Sequence, residues 1–306
     1  MDTKEKISLA GLIVAILTLL FGSGILIHKH VITEPTNTRS SIEEVSNNYN
    51  SASNQNASPN SNNTKDNQDS AENQNASTNM NHTAEKQYKP LSSVYVGGSV
   101  YFGSYEQDND SSNGKEQIEW TVLAKDGNYL LLISKYCLDC RPFHSVPYEN
   151  VTWEDCSLRS WLNGTFYYNA FDKNEQQRIY SSDLYNPEGN TTDKVFLLSV
   201  DEAEYYFNSN EDRVSIPTKY AFYQGCFSYN LATDTNHQCA DSPYYESSWS
   251  SSYDPQAGAW WWLRTSGSNP STAAGVRTVG SFYRVGNEMS IGNDAVRPAV
   301  WVYWDD

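Results

Sequence analysis

Hydrophobic and polar positions divide the chain into three stretches of different character. Residues 7–27 carry no charge and are mostly Leu, Ile, Val, Ala and Gly, a run long enough to cross a bilayer as a helix. From about residue 34 to residue 89, Asn, Ser, Thr, Gln and Asp dominate, with too little apolar surface to offset the entropy of ordering. Short apolar runs return only beyond this stretch. The pattern predicts an anchor at 1–30, a disordered stalk at 31–90 and a globular domain at 91–306.

Charges beside the predicted anchor indicate its orientation. Lys4, Lys6 and the α-amino group precede the span, whereas Lys29 and two histidines follow it. The positive-inside rule then favours a cytoplasmic N-terminus and an exported remainder. We therefore expect a single-pass membrane protein that displays its globular domain at the cell surface. Removal of the apolar segment as a signal peptide, by cleavage after Gly22 or Gly24, is the alternative.

Apolar runs at both ends of the globular domain have the length and composition of β-strands. Runs rich in β-branched and aromatic residues alternate with clusters of Asp, Asn, Ser and Gly, as in hairpins. Asp126-Gly127-Asn128 is typical of a tight turn between two of them. The strands are predicted at 100–102, 118–123, 129–133, 195–198, 260–264, 275–279, 281–285 and 295–302.

The middle of the domain carries helix signals instead. Thr152, Asp172 and Ser199 are each followed three residues later by an acidic side chain, the pattern of a capping box. From Leu158, apolar residues continue at i, i+3 and i+4, and Asn163-Gly164 is a helix stop signal. Strands at both ends with helices between them predict an α+β domain rather than alternating βαβ units.

Charge and composition exclude several functions. The net charge of -16, without a cluster of Lys and Arg, disfavours nucleic acid as a partner because phosphate binding needs clustered cations. His144 and His237 are the only histidines in the domain, and no Gly-x-Ser-x-Gly motif is present. No catalytic residue and no cofactor is therefore predicted.

Two polar patterns approach metal or redox motifs without matching them. The segment 108–114, followed by Glu116 and Glu119, has oxygen ligands at alternate positions, but its Gly falls one place late for a calcium loop. We expect a polar surface loop there and assign no metal site. Cys137 and Cys140 have the Cys-x-x-Cys spacing, but no helix follows at once to lower a thiol pKa.

The number of cysteines bears on disulfide pairing. All five lie in the globular domain, and an odd number outside the cell leaves at least one thiol free or paired between chains. Cys226 with Cys239, which would close a polar loop, is the expected bridge. Cys140 with Cys156 is the next expectation.

Short motifs recur along nearly all of residues 93–303. They include Phe102-Gly103-Ser104-Tyr105, Leu158-Arg159-x-Trp161-Leu162-Asn163, Asp193-Lys194-Val195-Phe196, Trp261-Trp262-Leu263-Arg264 and Val296-Arg297-Pro298-Ala299. In this order the motifs are similar to the bacterial domain of unknown function 6273. The resemblance implies a bacterial, often exported protein and implies no activity.

The end of the chain also resembles the C-type-lectin-like fold, which the formylglycine-generating-enzyme group shares. A Trp-rich strand ends at Arg264, and a variable polar stretch leads to a closing Val-Arg-x-Ala strand. The copper-binding cysteines of that enzyme group are expected later than Cys239, the last cysteine here, so its activity is not expected. In that fold the loops between the two motifs form the ligand face. The resemblance implies a face made of Ser268, Asn269, Arg277, Tyr283, Arg284, Asn287 and Asn293.

Other aromatic and basic residues complete the sequence-based expectations. Tyr244, Tyr245, Trp249 and Tyr253 lie in a Ser-rich stretch without periodicity, so we expect exposure and a recognition role. Most remaining tryptophans occupy strand or helix positions and are expected in the core. Arg297, like the arginine that ends the Trp motif, is expected to be buried beside a carboxylate.

Taken together, these features favour a cell-surface displayed, non-enzymatic module that binds a glycan, a protein or a peptide. One alternative is an exported enzyme that acts on cell-wall or carbohydrate substrates through two carboxylates. The other is a passive structural or sensory ectodomain. Two convergent acids in a cleft would favour the enzyme.

Overall fold

The structure, a computed structural model, describes residues 88–147, 149–230 and 252–305. The predicted anchor at 7–27 lies outside these ranges, as does the predicted stalk up to residue 87. Among the residues described, no helix combines the length and the apolar character needed to cross a bilayer.

Two five-stranded sheets form the framework of the domain. In the first, all neighbouring strands are antiparallel, and the expected tight turn joins its second and third strands through Gly127 at φ 57°. Its third strand is continuously apolar because it lies at the centre of the sheet. In spatial order, sheet one contains β1 (Ser99–Tyr105), β2 (Glu116–Asp126), β3 (Tyr129–Ser134), β14 (Ala299–Tyr303) and β5 (Ile179–Tyr180).

The second sheet carries the Trp-rich strand at its centre. Its strands are antiparallel except for one parallel pair, in which Trp261 lies opposite Ala295. Two short hairpins flank the sheets: β6 (Ser182–Leu184) with β7 (Thr191–Asp193), and β8 (Ser228–Tyr229) with β9 (Gly258–Ala259). In spatial order, sheet two contains β12 (Phe282–Glu288), β11 (Thr272–Val276), β10 (Trp261–Ser266), β13 (Ala295–Val296) and β4 (Asp139–Cys140).

Short helices lie between the early and late strands, which confirms the predicted α+β order. The capping boxes at Asp172 and Ser199 are both formed, with Glu175 and Glu202 as the returning acids. The helices are α1 (Ser157–Trp161), a π-helical turn (Leu162–Phe166), α2 (Tyr167–Ala170), α3 (Lys173–Arg178), α4 (Val200–Tyr206), α5 (Asn210–Arg213) and α6 (Lys219–Tyr223). A single 3-10 turn, Leu91–Ser93, precedes β1.

Two helix boundaries were predicted wrongly. Helix α1 begins at Ser157 with Cys156 as its N-cap, not at Thr152, because the buried Trp153 is held by long-range contacts in a turn before the helix. The chain also does not stop at Asn163-Gly164. The Asn163 side chain bonds backbone groups elsewhere in the domain, and the helix continues through the π-helical turn.

Three strand predictions also differ from the structure. The strand predicted at 275–279 lies earlier, as β11 (Thr272–Val276), and a turn follows it. Residues 195–198 are buried, but they form only an isolated bridge between Phe196 and Ala299. The run at 295–302 splits at Arg297-Pro298, because its first part joins sheet two as β13 and its second part joins sheet one as β14. The apolar pattern is the same in a strand that changes sheets and in one that stays in a single sheet.

The core is predominantly aromatic, as the composition predicts. Trp120, Trp153, Trp261, Trp262 and Trp304 are almost completely buried within one apolar cluster. A second, smaller cluster contains the buried side chains of Phe227, Tyr229 and Trp260.

Arg264 and Arg297, the two motif arginines, are both buried, but only Arg264 has the expected carboxylate partner. Arg264 makes a two-pronged ion pair with Glu202, with one contact at 2.7 Å, and also donates to the carbonyl of Leu197. Arg297 instead donates to the carbonyl oxygens of Ser134 and Arg213, at 2.9 and 3.2 Å. Carbonyl oxygens can satisfy a buried guanidinium, so the expected carboxylate pairing is wrong for Arg297.

The expected bridge between Cys140 and Cys156 is also wrong. Both residues are free thiols in the structure, as are Cys137 and Cys226. The sulfur of Cys156 accepts the amide of Arg159 at 3.3 Å, as a helix cap. The bridge expected between Cys226 and Cys239 involves a residue outside the described ranges.

Candidate functional site

The exposed members of the predicted ligand face lie on two neighbouring elements, the turn between β10 and β11 and the strand β12. Ser268 and Asn269 lie in the turn between β10 and β11, where backbone bonds to Val285 and Thr272 fix the turn. Arg284 is exposed on β12 and pairs with Glu204 at 2.8 Å. Because β12 is an edge strand, its outward side chains face solvent.

The middle of the predicted face is an aromatic stack. The Arg277 guanidinium lies 4.7 Å from the ring centre of the half-buried Tyr283, and that ring packs edge-on against Trp260 at 5.3 Å. The buried indole N–H of Trp260 has no hydrogen-bond acceptor within the described residues. The stack is thus a partly exposed surface, and the indole N–H of Trp260 beneath it is a buried donor without an acceptor among the described residues.

The two asparagines of the predicted face are buried. Asn287 donates to Oδ2 of Asp294 at 2.6 Å, and the backbone carbonyl of Asn293 accepts from Phe227 at 2.8 Å. Asp294 is completely buried, and desolvation raises its pKa to about 7. Among the described residues, its Oδ1 has no hydrogen-bond partner.

The predicted aromatic segment is only partly described. Tyr244, Tyr245 and Trp249 lie outside the described ranges. Tyr253 is half-buried and packs edge-on against Phe222 at 5.8 Å between ring centres.

A polar cleft of about 300 Å³, open to solvent, lies elsewhere, where α1, the π-helical turn and α2 meet the β6–β7 hairpin. We call it the Arg159–Lys194 cleft after the two cations in its lining. Its remaining surface is largely hydroxyl and amide, contributed by Ser160, Asn163, Tyr167, Tyr168, Ser181 and Thr192.

Asp193, the only carboxylate among the described residues that line the cleft, is occupied by internal hydrogen bonds. Arg159 Nε donates to Oδ1 at 2.6 Å, while Trp153 Nε1 and Thr191 Oγ1 donate to Oδ2 at 2.8 and 2.9 Å. The Asp193 side chain is almost completely buried. A carboxylate that accepts three such bonds fixes the donors around it.

Asn163 holds the two walls of the cleft together. Its Oδ1 accepts the backbone amides of Lys194 and Val195 at 2.8 and 3.2 Å. Its Nδ2 donates to the carbonyls of Arg159 and Val195 at 3.1 and 2.9 Å. The side chain therefore bridges the helical wall and the segment after β7, with two hydrogen bonds at its amide oxygen and two at its amide nitrogen.

The cations of the cleft retain donors that can reach a ligand. Lys194 Nζ contacts the Tyr167 hydroxyl at 2.9 Å and lies over the same ring at 4.5 Å, which leaves further ammonium hydrogens available. Arg159 uses Nε on Asp193 and one terminal nitrogen on the Glu154 carbonyl. Two cations against one carboxylate make the lining net positive, although the chain is strongly acidic.

Sequence reasoning did not identify this cleft. Arg159, Asn163 and Lys194 were recognised only as motif members that resemble a family. The available signal was charge: Arg159 and the pair Asp193-Lys194 lie inside otherwise apolar motifs, where charged residues need partners or ligands.

The polar loop after β1 gathers carboxylates, as its spacing suggested. Oxygens of Glu106, Asp108 and Glu116 lie within 4.8 Å of one another, and these are the residues that could contact a cation. Several of their oxygens already accept loop donors, such as the Gln107 amide to Glu116 at 2.7 Å. Glu119 instead pairs with a lysine at 3.0 Å.

The fold and the cleft define an α+β domain with two sheets, short helices and an open polar cavity. The family model described as "Domain of unknown function (DUF6273)" matches residues 127–304, and the chain belongs to this family. Strands β1 and β2 precede the matched range, although β2 pairs with β3 inside it. No curated protein matches the chain. No solved structure matches it either.

Proposed function

We propose that this chain is a surface-displayed, non-enzymatic binding module whose Arg159–Lys194 cleft takes a hydroxyl-rich ligand bearing negative charge, such as an acidic glycan. The observation that carries the proposal is the lining of the cleft. It combines two cations with tyrosine, serine and threonine hydroxyls in an open cavity of about 300 Å³. Cavities of that size hold one or two sugar-sized groups.

The exposed ring of Tyr168 supports a carbohydrate ligand. It is 69 % exposed at the cleft and packs edge-on against Tyr167 at 5.0 Å. A flat aromatic face beside hydroxyl groups suits the apolar face and the polar rim of a sugar ring. Lys194 would then contact an acidic group of the same ligand.

The hydrogen bonds that Asp193 accepts favour a binding role over a catalytic role for the cleft. Hydrolysis by paired acids requires two carboxyl groups several ångströms apart with a free proton or lone pair directed at the substrate. Asp193 is the single carboxylate in the lining, and Arg159, Trp153 and Thr191 use its oxygens. The cleft thus has groups that bind and orient a ligand but lacks a pair of acids to cleave it.

The fold part of the proposal is a C-type-lectin-like domain. Support comes from the order of elements at the chain end. Arg264 closes the Trp-rich part of β10, polar turns follow, and Arg297-Pro298 leads into the closing strand β14. The uncharged run at 7–27 and the Asn/Ser-rich stretch after it support a membrane anchor and stalk that display the domain outside the cell.

A glycan array probed with the full chain in detergent tests the proposal. Lys194→Met keeps the length and the apolar stem of the side chain but removes the charge, so binding to acidic glycans should fall at least about tenfold. Arg284→Met is the matched control, since it removes one exposed positive charge outside the cleft. Unfolding curves confirm that both variants fold.

Either of two results would contradict the cleft as the site. If Arg284→Met abolishes binding and Lys194→Met does not, the ligand contacts the β12 surface beside the Arg277–Tyr283 stack. That stack is the second candidate, because the indole donor of Trp260 beneath it has no acceptor among the described residues. If neither acidic nor neutral glycans bind, the glycan ligand is refuted.

A further inference from the structure

Cys140 and Cys226 lie against the same short segment of the chain. Cys140 ends β4 at the edge of sheet two, and Cys226 follows α6. The residue after each cysteine donates its amide to this segment: Arg141 to the carbonyl of Asp294 at 3.4 Å, and Phe227 to the carbonyl of Asn293 at 2.8 Å. These backbone bonds place the two cysteines side by side, although they are about 86 residues apart in sequence.

The sulfur atoms occupy the same buried space. Cys226 Sγ lies 3.8 Å from the carbonyl oxygen of Asp139, the group peptide-bonded to Cys140. Cys140 Sγ contacts the carbonyl oxygens of Gly292 and Asp294 at 3.1 and 3.6 Å. Cys140 is also one of the neighbours that raise the pKa of the Cys226 thiol, as expected for sulfur atoms this close. Side chains in such contact can form a disulfide after a small rotation.

Of the remaining cysteines, Cys137 lies near the pair and interacts electrostatically with both thiols. Cys156 caps α1 through its sulfur. Cys137 is completely buried, and its backbone bonds to Ile216 and Thr218 hold it in place. Cys239 lies outside the described ranges, so the structure bears on the expected Cys226–Cys239 bridge only through the position of Cys226.

We propose that Cys140 and Cys226 form a disulfide bond when the domain folds in an oxidising compartment. One thiolate attacks a small disulfide, such as oxidised glutathione, and releases one glutathione thiol. The second cysteine then attacks the mixed disulfide and releases the other. The two cysteines lose two protons and two electrons, and the disulfide reagent is reduced to two thiols.

Burial determines when this bond forms and how well it survives. Desolvation raises the pKa of the Cys226 thiol well above its ordinary value, so the folded domain holds little reactive thiolate. The bond therefore forms during folding or local opening. Once formed, it is shielded from reductants, because both cysteines are more than nine-tenths buried.

The bond would tie the edge of sheet two to the segment after α6. Closing a loop of this length lowers the entropy of the unfolded chain, so reduction should lower the Tm by roughly 10 °C. The inference does not depend on the cleft or its ligand. A failure of glycan binding would leave it unaffected.

The test is peptide mapping of the full chain, refolded in detergent with a glutathione redox buffer and alkylated without reduction. The expected product is a linked peptide pair containing Cys140 and Cys226, with Cys137 and Cys156 alkylated after denaturation. The Tm of the oxidised protein should fall by roughly 10 °C on strong reduction after partial unfolding.

Four variants make the result specific. Cys140→Ser and Cys226→Ser should each abolish the difference in Tm between the oxidised and reduced protein. Cys156→Ser, a buried cysteine with the same substitution, should retain it, as should Cys239→Ser. A Cys226–Cys239 linkage in the map, or loss of the Tm difference only in Cys239→Ser, would overturn the proposal. Full alkylation of both cysteines in the oxidised sample would do the same.

Discussion

Replacement of Asp294 should change how the stability of the domain depends on pH. Asp294 is completely buried, and its nearest polar partner is the neutral amide of Asn287. Burial without a cation raises its pKa from 3.8 to about 7. A carboxyl group with a higher pKa in the folded state binds its proton more tightly when folded. The free energy of unfolding therefore decreases as pH rises from about 4 to about 7.

The size of this effect follows from the two pKa values. With 3.8 in the unfolded chain and about 7 in the folded chain, this one group removes roughly 2–3 kcal/mol of stability between about pH 5 and about pH 7.5. Asp139, buried on the adjacent strand β4, also has a raised pKa because of desolvation. Its ionisation also lowers the free energy of unfolding as pH rises. The contribution of Asp294 is therefore measured by comparing wild type with a variant at this position.

Urea unfolding of wild type and Asp294→Asn at the two pH values isolates the contribution. All nine tryptophans lie between Trp120 and Trp304, so fluorescence reports on the domain. Asparagine can accept the Asn287 bond but cannot ionise. The variant should therefore lose roughly 2–3 kcal/mol less than wild type on going to the higher pH. Equal losses in both proteins would refute the reasoning. A wild type that gains stability relative to the variant would show that Asp294 is charged and has a cationic partner.

Three further predictions concern the free energy of unfolding, which the same urea experiment measures. Arg264→Met removes the buried partner of Glu202 and should lower the free energy of unfolding by about 3–5 kcal/mol. Arg284→Met, at an exposed ion pair, should lower it by less than about 1 kcal/mol. Equal losses in the two variants would contradict the argument from burial. Gly280→Ala should cost more than about 2 kcal/mol, because φ is 77° and a Cβ would lie 1.7 Å from a carbonyl oxygen of α5. Gly127→Ala, at φ 57° with open space around the position, should cost only about 1 kcal/mol. If both glycine variants lost the same free energy of unfolding, the backbone angle and not the steric clash would determine the cost.

The candidate site shows which of its features could be inferred from sequence motifs alone. Arg159, Asn163 and Lys194 could be selected from the sequence as members of family-like motifs. Their grouping could not, because contacts between distant segments bring Lys194 to the helical wall, namely the hydrogen bonds of Asn163 to the segment after β7 and the contact of Lys194 with Tyr167. The seven residues predicted as a ligand face are close in sequence, yet burial separates Asn287 and Asn293 from the exposed ones.

The sequence by itself determined the features that depend on neighbours along the chain. The capping boxes at Asp172 and Ser199 and the turn at Gly127 were predictable, because the bonding groups lie within three residues of each other. Only the tertiary structure decided that 195–198 is not a regular strand, that the run at 295–302 joins two different sheets, and that Cys140 lies beside Cys226. Each of these outcomes depends on which distant segment supplies the partner, and the hydrophobic pattern records that a residue is buried without recording what it is buried against.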